Sequence, residues 1–137
     1  MQPATPAVPV SKGKLWTGRI MSGLAVLFLA FDAVLKFVSP APAPVAEAFV
    51  KVGWPLTLAP LLGVILLLST ALYAIPKTSV LGAILLTAYL GGAVSTHLRV
   101  GDPLFSHVLF PTYLGVLLWA GLFFRDDRLR ALIPLRS

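Results

Sequence analysis

Four long apolar stretches, parted by short polar or proline-bearing breaks, dominate the chain. They are residues 16–38 (WTGRIMSGLAVLFLAFDAVLKFV), 55–75 (PLTLAPLLGVILLLSTALYAI), 78–98 (TSVLGAILLTAYLGGAVSTHL) and 106–124 (SHVLFPTYLGVLLWAGLFF). None shows the alternation of a membrane strand. Each is close to the roughly 20 residues that carry a helix across a hydrocarbon layer about 30 Å thick. A helix satisfies every backbone amide within one segment, where an orphaned group in lipid costs several kcal/mol. The pattern therefore predicts an all-α fold: a polytopic transmembrane four-helix bundle forming one domain over residues 16–133. Flexible tails are expected at 1–15 and 134–137.

The first stretch carries the most information. Its uninterrupted apolar and small-residue core, Ile20 to Phe31, is too short to span alone, so Asp32 must lie in or near the membrane. Lys36 follows one helical turn later, where it can meet that carboxylate while snorkelling outward. A cleaved signal peptide is the competing reading, since basic residues precede the apolar run and Ala41-Pro42-Ala43 offers small residues. Pro44 directly after that site, and Asp32 and Lys36 before it, favour a retained helix.

Prolines 40, 42 and 44 predict an extended opening to the first connection. VAEAFVKVG is then expected as a short interfacial helix, with Ala46, Phe49, Val50 and Gly53 near one side. Pro55 suits a helix start and Pro60 a bend one turn inside. IPK at 75–77 reads as a tight turn, and RVGDPLF breaks the chain before the fourth span. The third span repeats small residues at Ser79, Ala83, Thr87, Gly91 and Ser95, with Ala88, Gly92 and Thr96 alongside. Such rows allow close helix approach in lipid, which provides no hydrophobic push between helices. Ser79, Ala83, Thr87, Gly91, Gly92 and Ser95 are accordingly the candidate helix-packing positions, and this span the expected central helix. Trp16, Trp54 and Tyr73 fall at predicted boundaries as aromatic anchors, and Trp119 lies deeper.

Composition agrees with lipid rather than water. The mean hydropathy is +0.91 and only 12% of residues are charged, about half the usual share in soluble domains. The net charge of +6 does not point to nucleic acid, for which no motif exists; the basic residues cluster at span ends. Four spans place both termini on one side, with Lys12, Lys14, Arg19, Lys77, Arg125, Arg128, Arg130 and Arg136. Lys36, Lys51 and Arg99 fall on the other. This bias predicts cytoplasmic termini, and a bacterial inner membrane is the expected location. With no cysteine, thiol chemistry and disulfides are excluded.

That topology gathers Asp32, Lys36, His97, Arg99, Asp102 and His107 at one membrane depth. Asp32, Lys36, His97 and His107 are the candidate polar pocket. An ionisable side chain inside a membrane is a functional-site hypothesis by default, and His97 can move protons near neutral pH. The plainer alternatives are an Asp32–Lys36 pair that stabilises a helix end, and a surface histidine at 107. Tyr89 and Tyr113 read more simply as aromatic packing. No metal-binding motif, phosphate loop or nucleophile elbow is present, and no catalytic residue is assigned.

Read together, GLAVLFLAFDAVLKFVSP, FVKVGWP, the run from LAPLLGVILL to GGAVSTHL, and LFPTYLGVLLWAGLFFRDDRLRALIP resemble the DoxX-like family of small four-helix membrane proteins. Lys36, Gly53, Pro55, Gly63, Pro76 and His97 look like its recurring residues, whereas Asp32 stands where members often carry a small residue. The resemblance implies a noncatalytic membrane subunit or scaffold associated with a quinone-linked redox complex. A quinone would use Lys36 or His97 near a carbonyl, and a redox-complex protein or a second copy of the chain would be the partner. A small quinone-dependent oxidoreductase, with His97 shuttling a proton and Asp32 tuning it, is the first alternative. An oligomeric transporter of small solutes or lipids is the second.

Overall fold

The computed structural model describes residues 11–132, and its first helix, α1 (Lys12–Leu35), opens on Ser11, whose hydroxyl accepts the Lys14 amide at 3.3 Å. An N-cap hydroxyl of this kind satisfies one of the orphan donors at a helix start. Residues 12–15, expected in the tail, are therefore the first turn of α1. The remaining tail positions, 1–10 and 134–137, and residue 133 at the end of the expected domain lie outside the described residues.

The chain continues through α2 (Ala43–Val52), α3 (Ala59–Ala74), α4 (Ser79–Arg99), α5 (Phe110–Arg125) and a short α6 (Asp127–Leu132). Helical turns at Leu56–Leu58, Pro76–Thr78 and Leu104–Val108 extend α3, α4 and α5 at their starts. Four helical stretches, Lys12–Leu35, Leu56–Ala74, Pro76–Arg99 and Leu104–Arg125, are long and apolar enough to cross a membrane. Pro60 and Pro111 stand in the first turns of α3 and α5, where a missing amide hydrogen costs little. Pro60 thus stands where the Leu56–Leu58 turn passes into α3, about one turn inside the helical stretch.

α1 packs on α3 and α5, and α4 packs on the same two, which closes a ring in the order α1–α3–α4–α5. Gly18 of α1 sits against Gly121 and the Cβ atoms of Phe124 and Arg125, leaving no room for a side chain. The start of α1 and the end of α5 therefore share one end of the bundle. Ser22, Ala25, Leu29 and Ala33 continue this contact line along α1. Leu66, Leu86, Leu118 and Leu122 fill the centre with essentially no exposure. Outward faces carry Leu27, Phe31, Leu68 and Val116, all more than half exposed. Apolar coverage this extensive suits hydrocarbon, not water.

α4 comes close to α3 at Gly82, where a Cβ would collide with the backbone of Tyr73. The expected small-residue row divides around it. Ser79 and Ala83 are buried, while Thr87, Gly91, Gly92 and Ser95 face outward. α4 is no more enclosed than its neighbours: 28% of its apolar window is buried, as in α1, against 33% in α3 and α5. Tyr73, expected as an interfacial anchor, is fully buried, because its hydroxyl finds partners inside. Arg125 Nε donates to Ser22 Oγ (3.1 Å), the Ser22 hydroxyl lies 2.8 Å from Tyr73 Oη, and Tyr73 donates to the Leu118 carbonyl (2.7 Å).

Candidate functional site

At the end of the bundle away from the termini, two helix stops with the same geometry build the site. α2 ends at Val52, Gly53 turns left-handed (φ 73°), and the Trp54 amide returns to Phe49 O at 3.0 Å. α4 ends likewise: Gly101 turns left-handed (φ 72°) and the Asp102 amide returns to His97 O at 3.1 Å. Glycine accepts this conformation without penalty, and the resulting Schellman turn brings residues five apart into contact. In α2 it joins Phe49 and Trp54. In α4 it carries the Asp102 carboxylate back onto His97.

The Asp102 side chain, 2% exposed, holds two cations or donors at once: His97 Nδ1 on Oδ2 and Lys51 Nζ on Oδ1, both at 2.5 Å. Hydrogen bonding from His97, then from Lys51, holds the Asp102 carboxyl below its ordinary range. Arg99 adds a second tie by donating to the Val52 carbonyl at 2.5 Å, a cation on the carbonyl end of α2. α2 buries Val45 and Phe49 against Ala59. Val50, expected near the same side as Phe49, is instead 80% exposed while Phe49 is buried, since it sits one residue, or about 100°, further round the helix.

Under α2 lies a cavity of about 330 Å³ lined by residues that include Lys36, Phe49, Trp54, Tyr89, Thr96 and His97. Beside it α3 runs tight against the end of α1 at Gly63, where a Cβ would press on Ala33 O, the Phe37 ring and Lys36 Cβ. Lys36 is consequently only 10% exposed rather than snorkelling, and its ammonium meets Asp32 Oδ2 at 2.5 Å while that carboxylate is 40% exposed. Ala48, Trp54, Ala88 and Gly92 are exposed at the rim, so the opening faces outward from the bundle. A second cavity, of about 310 Å³, lies on the other side of α4 and includes Thr87, Gly91, Pro111 and Trp119 in its lining. Trp119 Nε1 donates there to Thr87 Oγ1 at 2.8 Å.

Of the four polar-pocket candidates, Lys36 and His97 line the first cavity and Asp32 reaches it through Lys36. His107 stands beside His97, ring centroids 6.2 Å apart, but bonds Ser106 Oγ and is not among the lining residues. The carboxylate on His97 is Asp102, not Asp32. That pairing, and the role of Lys51, escaped the sequence reading. The signal was present in HLRVGD, a histidine five residues before an aspartate with glycine between them at the turn position.

These features define a polytopic membrane protein: four apolar spans in a ring, with a side-opening, largely apolar cavity capped by an amphipathic helix. The DoxX-like family profile matches residues 20–121, and the chain belongs to that family. Neither the curated proteins nor the solved structures compared with it give a match.

Proposed function

We propose that the protein is a membrane subunit that holds the ring of a lipid-soluble quinone beneath α2 for a redox partner. The cavity carries this reading: about 330 Å³, walled largely by apolar groups, with Lys36 and His97 contributed by different helices. Small-molecule sites of that size commonly pair apolar walls with a few convergent polar groups. A quinone ring is flat and apolar but bears two carbonyl oxygens, which an ammonium or a protonated imidazole can engage. The exposed rim gives such a molecule entry from the lipid. Charge distribution favours cytoplasmic termini, with the cavity in the opposite leaflet; a bacterial inner membrane is the location we propose. The outward small residues Thr87, Gly91 and Ser95 leave a face that a partner helix, or a second copy, can approach closely. The His97–Asp102 pair favours one further reading, a quinone-dependent oxidoreductase in which His97 exchanges a proton with the ring.

Gly91 and Gly92 provide a matched test, because a Cβ at either meets nothing within 4 Å yet only Gly92 borders the cavity beneath α2. Duroquinone binding to the full chain in lipid nanodiscs, measured against empty discs, should weaken at least about tenfold in Gly92→Phe, or roughly 1.4 kcal/mol. Gly91→Phe should bind like the unaltered protein. Unchanged binding in Gly92→Phe would sink the quinone site.

A further inference from the structure

His97 presents its two ring nitrogens to different surroundings. Nδ1 is committed to Asp102 Oδ2 at 2.5 Å. Nε2 has no hydrogen-bond partner among the described residues, and no buried side-chain nitrogen or oxygen among them lacks one, so Nε2 keeps accessible surface, on a ring that lines the cavity. The Asp102 carboxylate is doubly engaged and kept ionised by His97 and Lys51, so it can only accept. A neutral His97 must then carry its hydrogen on Nδ1 and its lone pair on Nε2.

We infer that the Asp102–His97 pair makes the cavity selective for the reduced, hydroxyl-bearing form of the ring, with His97 Nε2 accepting an O–H from a quinol. This rests on the quinone-site reading and adds the redox form the site prefers. A neutral imidazole with a bare Nε2 bonds a phenolic hydroxyl but offers nothing to a carbonyl, whereas an Nε2–H can donate to either oxygen. Asp102 is a positioning residue, since it fixes the tautomer without lining the cavity. The other charged groups around His97 are Lys51 on α2, Lys36 with its partner Asp32 on α1, and Arg99 on α4. His107 on the following turn is the remaining imidazole.

Duroquinol and duroquinone share one ring and four methyls and differ only in hydroxyl against carbonyl. Binding of each to the full chain in nanodiscs, under argon, reads the preference directly. At pH 8 duroquinol should bind at least about tenfold tighter, the scale of one well-made hydrogen bond against an unmade one. His107→Gln should leave this preference in place. Asp102→Asn should abolish the preference at pH 8, because an amide can donate to Nδ1 and move the proton to Nε2. Lys51→Met loosens α2 but keeps the carboxylate, and should retain it. Equal affinity for the two probes at pH 8 overturns the inference, as does loss of the preference in Lys51→Met. Duroquinone binding that Gly92→Phe abolishes, without any duroquinol advantage, would leave the quinone site standing and remove only this selectivity. Binding of neither probe overturns both.

Discussion

Tyr73 shows how one hydroxyl can organise three spans. The chain Arg125 to Ser22 to Tyr73 to Leu118 O uses each hydroxyl once as donor and once as acceptor, so no polar atom in it is left unpaired. The Arg125 guanidinium also lies 5.4 Å from the Tyr73 ring centroid, within reach of a cation–π contact. Interhelical hydrogen bonds in membranes average about 0.6 kcal/mol and reach about 1.7. Tyr73→Phe loses two of them and should cost about 1–2 kcal/mol in reversible unfolding from mixed micelles. Gly82→Ala should cost more, above about 2 kcal/mol, because its methyl meets Tyr73 backbone that cannot rotate away. Gly23→Ala, with nothing within 4 Å, should stay within about 0.5 kcal/mol. If Gly82 and Gly23 proved equally tolerant, the tight α3–α4 contact would be wrong.

Among the elements, α2 depends most on charge for its place. Few buried side chains hold it, chiefly Val45 and Phe49, so the Lys51–Asp102 and Arg99–Val52 ties matter to its docking. Asp102 has its folded-state pKa lowered. Its stabilisation is therefore fully present above the ordinary aspartate value of about 3.9 and lost as pH falls through the lower folded value. The gap in Tm between the unaltered protein and Asp102→Asn should be full at pH 7 and should close on acidification below about pH 4. A gap that persists unchanged to pH 2 would remove Asp102 from the docking of α2. The sequence foretold this helix, since prolines before it and Gly53 after it bound a short amphipathic run. It did not foretell which face turns inward: Val50 and Phe49 are equally apolar, and only the fit over Ala59 separates them. The ties were harder still to read, because Lys51 and Asp102 are distant in sequence and meet only once the bundle closes.

For the whole molecule, hydropathy alone laid out four spans, their order and a shared end for the termini. Span length and backbone satisfaction are one-dimensional constraints, so a sequence carries them openly. Rotation of each helix is not such a constraint in lipid, where inner and outer faces are both apolar. The Ser79–Ser95 row therefore looked like one packing surface, although Gly82 makes the tight contact and the later half of the row faces out. The Asp32–Lys36 pair was legible from its one-turn spacing, whereas the burial of Lys36 depends on Gly63 of a different helix. The chain has no cysteine, so a single introduced thiol reports its own position without background. Cysteines placed singly at Lys14, Lys77, Arg128, Glu47 and Gly101, in sealed vesicles of known orientation, can be probed with a membrane-impermeant maleimide. Positions 14, 77 and 128 should react from the cytoplasmic face only, and 47 and 101 from the other only; labelling of 14 and 128 from opposite faces would contradict the four-span bundle and the cavity built at its far end.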